Sequence, residues 1–171
     1  MDLLVFDSWH WWFYKPPNQP WDYIEVGNKL YKDMDRLKAF QIAFKTWARW
    51  VDNNVDPKKT RVFYQGISSS HYHGHDWGKQ HGNCNGEAHP LDRSTNPVAE
   101  NVDVETVESI LSNMKNPAYF LDISLLSSLR PDAHPQEYVS PQHLGGDCTH
   151  WCLAGVPDVW NQLLYAALLE D

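Results

Sequence analysis

Residues 3–6 read Leu-Leu-Val-Phe, and they are followed by polar residues 7–8, Asp-Ser, and by the aromatic-rich residues 9–14, Trp-His-Trp-Trp-Phe-Tyr. A short continuous apolar run bounded by polar residues predicts a strand that is buried in a parallel sheet. The loop after such a strand emerges at the carboxyl edge of the sheet, where open α/β folds bind their ligands. The stretch therefore predicts a buried strand over 3–6 and a functional loop directly after it.

Helices and strands alternate along the rest of the chain. Between residues 34 and 55, apolar side chains recur every three or four positions, which predicts an amphipathic helix with Asp33 or Asp35 as its N-cap. The other predicted elements are a strand over 60–66, a helix capped by Asp103 and running to about Met114, a strand over 118–123, a helical turn over 125–130 and a C-terminal helix over 156–169. Irregular structure is expected over residues 16–33, 73–102 and 131–146.

The order of these elements predicts the fold class. Strand, helix, strand, helix, strand, helix is typical of an α/β fold with a parallel sheet and helices on its faces. A chain of 171 residues has room for one such domain. The long irregular stretch over 73–102 is unusual in a compact domain, and such loops are commonly functional or pinned by a disulfide.

The composition excludes some classes of protein. With 42% hydrophobic and 21% charged residues, the chain is expected to be globular. Its net charge of −8 argues against binding nucleic acid through a broad basic face and favours a neutral or cationic partner. The 9 tryptophans are several times the usual number, and we expect some in the core and others on a surface that stacks on sugars.

The sequence contains neither a membrane-spanning run nor a signal peptide. No stretch of about 18 apolar residues occurs, and the first residues lack the charged n-region and the apolar length of a secretory signal. Because a buried strand begins almost at once, we expect the natural protein to be longer at its N-terminus. Cys84, Cys148 and Cys152 make an odd number, so a segment outside this sequence could hold the partner of one of them.

Two interpretations are available for the cysteines. Cys84 could bond to Cys148 or to Cys152, which would clamp the long loop against the segment that carries them. Alternatively, Cys84 could be drawn as a zinc ligand together with histidines of the long loop, namely His71, His73, His75, His81 and His89. A glycine-rich loop without a Cys-x-x-Cys pair favours the disulfide, and no metal site is expected.

Asp147 and His150 are the residues best suited to chemistry. In a loop ahead of a helix, an Asp three residues before a His can bind one ring nitrogen and leave the other facing a cleft. This geometry fixes the tautomer and stabilises the imidazolium, as the base of an acyl transfer requires. A capping Asp and a surface His give the same spacing by chance, but here the motif lies between Cys148 and Cys152 and just before the last predicted helix.

With these residues in view, the chain resembles a known family, the plant trichome birefringence-like proteins, whose C-terminal region belongs to the PC-esterase group. The resemblance is collinear over nearly the whole chain. The matching stretches are residues 4–6, 10–12, 46–52, 54–57, 66–68, 71–72, 121–123, 129–130, 134–135, 147–153, 155–158 and 160–161. It implies a three-layer SGNH-hydrolase-like fold, incomplete here at the N-terminus, with residues 1–171 as the C-terminal part of one catalytic domain.

The resemblance also implies an activity, namely the transfer of O-acetyl groups onto a cell-wall polysaccharide such as xylan, mannan or pectin in the Golgi lumen. It implies a polysaccharide acceptor and an acetyl donor as partners, no cofactor, no nucleic acid, and membrane attachment only through an N-terminal anchor outside this sequence. Two alternatives stay open. One is an acetyl esterase of the same fold, in which water accepts the acyl group, and the other is a catalytically inert polysaccharide-binding fragment.

The resemblance assigns roles to individual residues. The family's Asp-x-x-His motif falls on Asp147 and His150, which implies that His150 is the general base and that Asp147 orients it. The family's nucleophilic serine lies in an upstream Gly-Asp-Ser motif, which does not occur in this sequence. Ser68 lacks the second glycine of a nucleophile elbow, and Cys148 overlaps the base motif. We therefore expect the acylated serine to lie outside these residues.

Substrate-binding residues are expected beside the base. The loops after residues 6 and 66 emerge at the carboxyl edge of the predicted sheet, and the loop that carries His150 must reach the same edge to meet the nucleophile. This predicts that His10, Trp11, Ser68 and His71 cluster around His150. It also predicts that the neighbouring Asp carboxylate lies about 2.6–3.2 Å from the His150 ring.

Overall fold

The computed structural model describes residues 2–15, 17–94, 102–136, 138 and 146–170. The chain divides into two compact units, one formed by Met1–Ile67 with Asn101–Phe120 and the other by Ser68–Glu100 with Leu121–Asp171. The strands are β1 (Asp2–Phe6), β2 (Ile24–Val26), β3 (Lys29–Tyr31), β4 (Thr60–Gln65) and β5 (Tyr119–Leu121). The helices are α1 (Arg36–Asn54), α2 (Val102–Leu111), α3 (Ser124–Ser128) and α4 (Val156–Leu169). That residues 1–171 belong to one catalytic domain stays a prediction.

β1, β4 and β5 form one sheet with β4 in the centre. β1 and β4 are parallel, with Leu4 opposite Val62 and Phe6 opposite Tyr64. A strand can return parallel to its predecessor only through a crossover, and α1 supplies that crossover. The three strands predicted from apolar runs all exist, and β5 is shorter than its predicted range. The prediction that the first strand is buried was wrong, because β1 lies at an edge of this sheet, where Leu3 and Val5 are 42% and 44% exposed. The predicted α/β class, with a parallel sheet flanked by helices, is confirmed.

Helix α1 contributes four side chains to the main core cluster of the first unit. Asp35 caps it, since the Asp35 carboxylate accepts a hydrogen bond of 2.8 Å from the backbone N–H of Lys38. Residues of its apolar stripe pack with β4 and α2 into one buried cluster, which contains Phe40, Phe44, Ala48, Val51, Tyr64, Val107, Ile110, Leu111, Met114 and Ala118. Burying each large apolar side chain contributes about 1.5–3 kcal/mol relative to exposure. This cluster fixes the helices against the sheet.

Helix α2 begins two residues earlier than an N-cap at Asp103 would predict. The sequence suggested Asp103 as the N-cap, but the helix starts at Val102 and Asp103 lies within its first turn. An acidic residue is also favoured there, because unpaired N–H groups give the start of a helix a partial positive charge. Part of the predicted loop before this helix, residues 95–101, lies outside the described residues.

A β-hairpin occupies residues 24–31, where irregular structure was predicted. β2 and β3 pair antiparallel around the two-residue turn Gly27-Asn28, and Gly27 has φ +61°. A two-residue turn of this kind needs left-handed backbone, which glycine and asparagine adopt most readily. The prediction was wrong because the prolines that motivated it end at Pro20, before the hairpin starts.

The second unit contains α3, α4 and long connecting segments. α4 has the predicted bounds, and it begins where the Asp158 carboxylate accepts a 2.6 Å hydrogen bond from the backbone N–H of Gly155. α3 confirms the helical turn predicted over 125–130, although it starts at Ser124. Of the loop predicted before α4, residues 137 and 139–145 lie outside the described residues. Among the helices given above, none is long and apolar enough to cross a membrane.

Candidate active site

The Asp147 side chain forms hydrogen bonds through both of its carboxylate oxygens. Oδ1 accepts from the backbone N–H of Thr149 at 3.0 Å and of His150 at 2.9 Å. Oδ2 lies 2.8 Å from Nδ1 of the His150 ring, within the predicted range. Because a carboxylate can only accept, Nδ1 carries the proton and Nε2 is the basic nitrogen of the neutral ring.

Burial separates the two partners of this pair. The side chain of Asp147 is 8% exposed, whereas that of His150 is 80% exposed. Burial by itself raises the pKa of Asp147, but the hydrogen bonds from the backbone N–H groups of His150 and Thr149, and from the His150 ring, hold this pKa below its ordinary value. The result is a fixed, ionised carboxylate behind a ring that is open on its other side.

The backbone of Asp147 is held by Gln136. The N–H of Gln136 donates to the Asp147 carbonyl at 3.0 Å, and the N–H of Asp147 donates to the Gln136 carbonyl at 2.8 Å. The Gln136 amide is buried and bonds the preceding loop, accepting from the N–H of Gly86 at 3.1 Å and donating to the carbonyl of Glu87 at 2.7 Å. Gln136 thus joins the backbone of Asp147 to the loop that contains Gly86 and Glu87.

The turn before Asp147 requires glycine. Gly146 has φ +79°, a left-handed conformation that side chains with a Cβ rarely adopt. A Cβ at this position would also collide with the side chain of Asn85. The position explains why glycine precedes the Asp-x-x-His motif in this chain.

A disulfide joins Cys84 to Cys148, with the two Cα atoms 5.6 Å apart. The prediction that Cys84 bonds to Cys148 or Cys152 is therefore confirmed, with Cys148 as the partner. Cys152 is exposed and is not in a disulfide. The bond anchors the long loop to the residue that directly follows Asp147.

Two buried histidines lie behind the same loop. The backbone N–H of His71 donates to the Cys148 carbonyl at 2.8 Å, and Nδ1 of His134 donates to the His150 carbonyl at 2.6 Å. Burial lowers the pKa of His71. Burial, aided by the neighbouring His71, lowers the pKa of His134 to about 4, although its hydrogen bond to the His150 carbonyl acts in the opposite direction. Only 1% of His71 is exposed, which favours a supporting role over the predicted contact with substrate.

The other predicted substrate-binding residues lie in different parts of the chain. His10 and Trp11 belong to the first unit, in a 3-10 turn over His10–Phe13, and Trp11 is 64% exposed. Ser68 is half-buried at the start of the second unit. That His10, Trp11 and Ser68 approach His150 stays a prediction.

The structure removes one ligand of the alternative zinc site. Cys84 is bonded to Cys148, and the rings of His73 and His75 stack with their centroids 5.8 Å apart, His75 pairing with Asp76. Within the described ranges, no group of three or more His, Cys, Asp or Glu residues is placed to hold a metal ion.

Gln136 and His134 support the site but were not predicted as functional residues. A signal for His134 was present, because His134-Pro135 is one of the stretches that carry the family resemblance. Nothing in the local sequence marks Gln136, since its role depends on residues 49 and 50 positions away in the chain.

An α/β fold and a buried carboxylate that orients an open imidazole are features of esterases and acyltransferases with a Ser-His-Asp triad. The family described as PC-Esterase, the GDSL/SGNH-like acyl-esterase family found in Pmr5 and Cas1p, matches residues 1–167. The chain belongs to this PC-esterase family, and the SGNH-like fold predicted from the sequence is confirmed.

Relatives with curated names extend the comparison. The chain is 54% identical to trichome birefringence-like protein 38 of Arabidopsis thaliana over 168 residues, which cover 98% of this chain and 44% of that protein. It is 48% identical to trichome birefringence-like protein 39 over 171 residues, covering 100% of this chain and 46% of the relative. The chain thus spans about half the length of these relatives, and the resemblance to the trichome birefringence-like proteins is confirmed.

Proposed function

We propose that this chain supplies the base and its orienting carboxylate to an O-acetyltransferase that modifies a plant cell-wall polysaccharide. The observation that carries the proposal is the 2.8 Å hydrogen bond between the buried Asp147 carboxylate and the exposed His150 ring. Membership of an acyl-esterase family supports acyl chemistry. Xylan, mannan and pectin are the candidate acceptors, and an acetyl donor is the second substrate.

In the proposed first half-reaction, Nε2 of His150 takes the proton of a serine hydroxyl as the serine oxygen attacks the carbonyl carbon of the acetyl donor. The tetrahedral intermediate collapses, the bond to the leaving group breaks, and His150 returns the proton to that group. Asp147 stays ionised throughout and stabilises the imidazolium by charge. The product of this step is an acetyl-serine.

In the second half-reaction, Nε2 takes the proton of a sugar hydroxyl as its oxygen attacks the acetyl-serine. The acyl–serine bond breaks, the proton returns to the serine oxygen and an acetylated sugar leaves. If water takes the place of the sugar hydroxyl, the same residues perform ester hydrolysis, which is the esterase alternative. We expect the serine to come from a Gly-Asp-Ser segment outside this sequence. The mechanism needs no cofactor.

The proposed compartment is the Golgi lumen. The Cys84–Cys148 disulfide supports an oxidising compartment, since such bonds are rare in the cytosol. Attachment to the Golgi membrane is proposed to depend on an N-terminal anchor outside this sequence.

A chimera tests the proposal. This chain replaces the matching part of trichome birefringence-like protein 38, to which it is 54% identical. The parent protein, the chimera and the 171-residue chain alone are each incubated with an acetyl donor and with xylan, mannan and pectin oligosaccharides. We expect the parent and the chimera to acetylate a sugar, and the chain alone to give neither transfer nor hydrolysis above background.

Each other outcome rejects a defined part of the proposal. Turnover by the chain alone would place a nucleophile within it, with Ser68 as the first residue to test, since the sulfur of Cys148 is held in the disulfide. Release of free acetate without acetylated sugar would favour the esterase. A folded but inactive chimera beside an active parent would favour the inert polysaccharide-binding fragment.

A further inference from the structure

The rings of His71 and His134 form a buried hydrogen-bonded pair. Their ring centroids are 5.0 Å apart, and Nδ1 of His71 lies 2.7 Å from Nε2 of His134. Each ring also contacts a carbonyl oxygen through its other nitrogen: Nε2 of His71 lies 3.0 Å from that of Ser128, and Nδ1 of His134 lies 2.6 Å from that of His150. His71 and His134 are 1% and 3% exposed, so water does not compete for these contacts.

The hydrogen bonds of this histidine pair require an unusual number of ring protons. A carbonyl oxygen can only accept, so Nε2 of His71 and Nδ1 of His134 must each carry a proton to form their bonds. The contact between the two rings needs one further proton. Three bonds thus require three ring protons, whereas two neutral imidazoles hold two. The geometry is that of a pair with one positive charge.

The surroundings of the pair act in opposite directions. Burial disfavours the charge and lowers the pKa of both rings. The carboxylates of Asp132 and Asp147 favour it, although Asp132 is itself paired with Arg130 at 2.9 Å. The remaining faces of the rings meet indoles, with Trp77 against His71 and Trp151 against His134.

The other titratable groups near the pair, Lys79 and His150, each have an acidic partner. The ammonium of Lys79 lies 5.3 Å from the centre of the Trp77 ring and is paired with Glu87. The His150 side chain points its Nδ1 to Asp147 and is largely exposed. Because burial lowers the pKa of both rings, we expect the pair to take up its third proton at a pH below the ordinary histidine pKa of about 6.5.

We propose that His71 and His134 are a proton-sharing pair that positions His150. With three ring protons, the pair forms three hydrogen bonds: to the Ser128 carbonyl, between the two rings and to the His150 carbonyl. Loss of one proton breaks one of these bonds. His134 acts on the backbone of His150 and not on a substrate, so it is a positioning residue. The proton count does not rest on the proposed function. Only the consequence of the proton count for catalysis rests on the proposed function, so the proton count can be tested without measuring activity.

Imidazole nitrogen NMR spectra of the 15N-labelled protein test the proposal between about pH 3 and pH 8. We expect the nitrogens of both rings to shift in one common step with a midpoint below about 6.5. Three ring N–H groups are expected below the step and two above it. The backbone amide of His150 should shift in the same step, because the hydrogen bond to its carbonyl is involved.

Two variants sharpen the test. His71→Gln keeps a donor for the Ser128 carbonyl but cannot be protonated, so we expect it to abolish the common step and to leave the Nδ1–H of His134 in place. His75→Gln, at a side chain that is 74% exposed, is the matched control and should leave the step unchanged.

Several results would overturn the proposal. These are two ring protons at every pH at which the protein is folded, separate midpoints for the two rings with no change at the His150 amide, or a step that persists in His71→Gln. If that variant does not fold, the proton count of the unsubstituted protein decides alone.

Discussion

At the scale of single residues, the candidate base depends on a contrast in burial. Asp147 has lost most of its contact with water, and its carboxylate compensates by accepting three hydrogen bonds from its own loop. The bond to Asp147 fixes the tautomer of the His150 ring, and the ring stays in solvent, so Nε2 is open for the proton exchange that the proposed role of base requires. The hydrogen bond between these residues could be predicted from their spacing, because three positions in a tight turn suffice to make it.

Asp147→Asn is expected to reduce the acid sensitivity of folding. Hydrogen bonds outweigh burial and lower the pKa of the folded carboxyl, so its stabilising effect is full above the unfolded pKa of about 3.9 and is lost as the pH falls through the lower folded value. Asn cannot ionise, and we expect about 1–3 kcal/mol less unfolding free energy at pH 7. Urea unfolding at several pH values measures both effects.

The matched control is Asp76→Asn, which changes an exposed carboxylate that also pairs with a histidine. It should leave the free energy of unfolding unchanged within about 0.5 kcal/mol. Equal acid sensitivity in Asp147→Asn and the unsubstituted protein would contradict the role given to this carboxylate.

At the scale of elements, periodic segments could be predicted and contacts distant in sequence could not. Helix α4 has its predicted bounds because its apolar spacing and its proline near the start are local signals. The hairpin of β2 and β3 also has a local signal, its Gly27-Asn28 turn, and the prolines that led to the prediction of irregular structure end before it. The bridge between Gln136 and Asp147 had none, since it depends on how two loops meet in space.

Removing the disulfide is expected to destabilise the protein. Cys84 and Cys148 are 64 positions apart, and closing a loop of that length restricts the unfolded chain by about 4 kcal/mol. Replacing both by Ala should lower the free energy of unfolding by an amount of this order, measured by urea unfolding. Cys152→Ala, at an exposed cysteine, is the control and should have little effect.

Peptide mapping without reduction checks the pairing itself. Cys84 should appear joined to the peptide that contains Cys148. A peptide that joins Cys84 to Cys152, or three free thiols in protein from the secretory pathway, would contradict the structure and the proposed compartment.

At the scale of the whole molecule, family membership carries the functional argument further than the site can alone. The PC-esterase match extends over residues 1–167 and therefore includes segments of both compact units. The sequence could predict the fold class and the hydrogen bond between Asp147 and His150, since both have local patterns. No local pattern bears on the prediction that His10 and Trp11 lie near His150, because they are more than a hundred positions away and any contact between them would depend on tertiary structure.

The most direct test of the proposed role of His150 is the rate constant for acetyl transfer by the chimera after His150→Ala. Loss of the base should lower kcat by several orders of magnitude, as removal of a triad member does in general. His75→Ala, at a similarly exposed histidine paired with a carboxylate, should leave kcat unchanged. A fall of only a few-fold in the folded His150→Ala chimera would contradict the assignment of His150 as the general base.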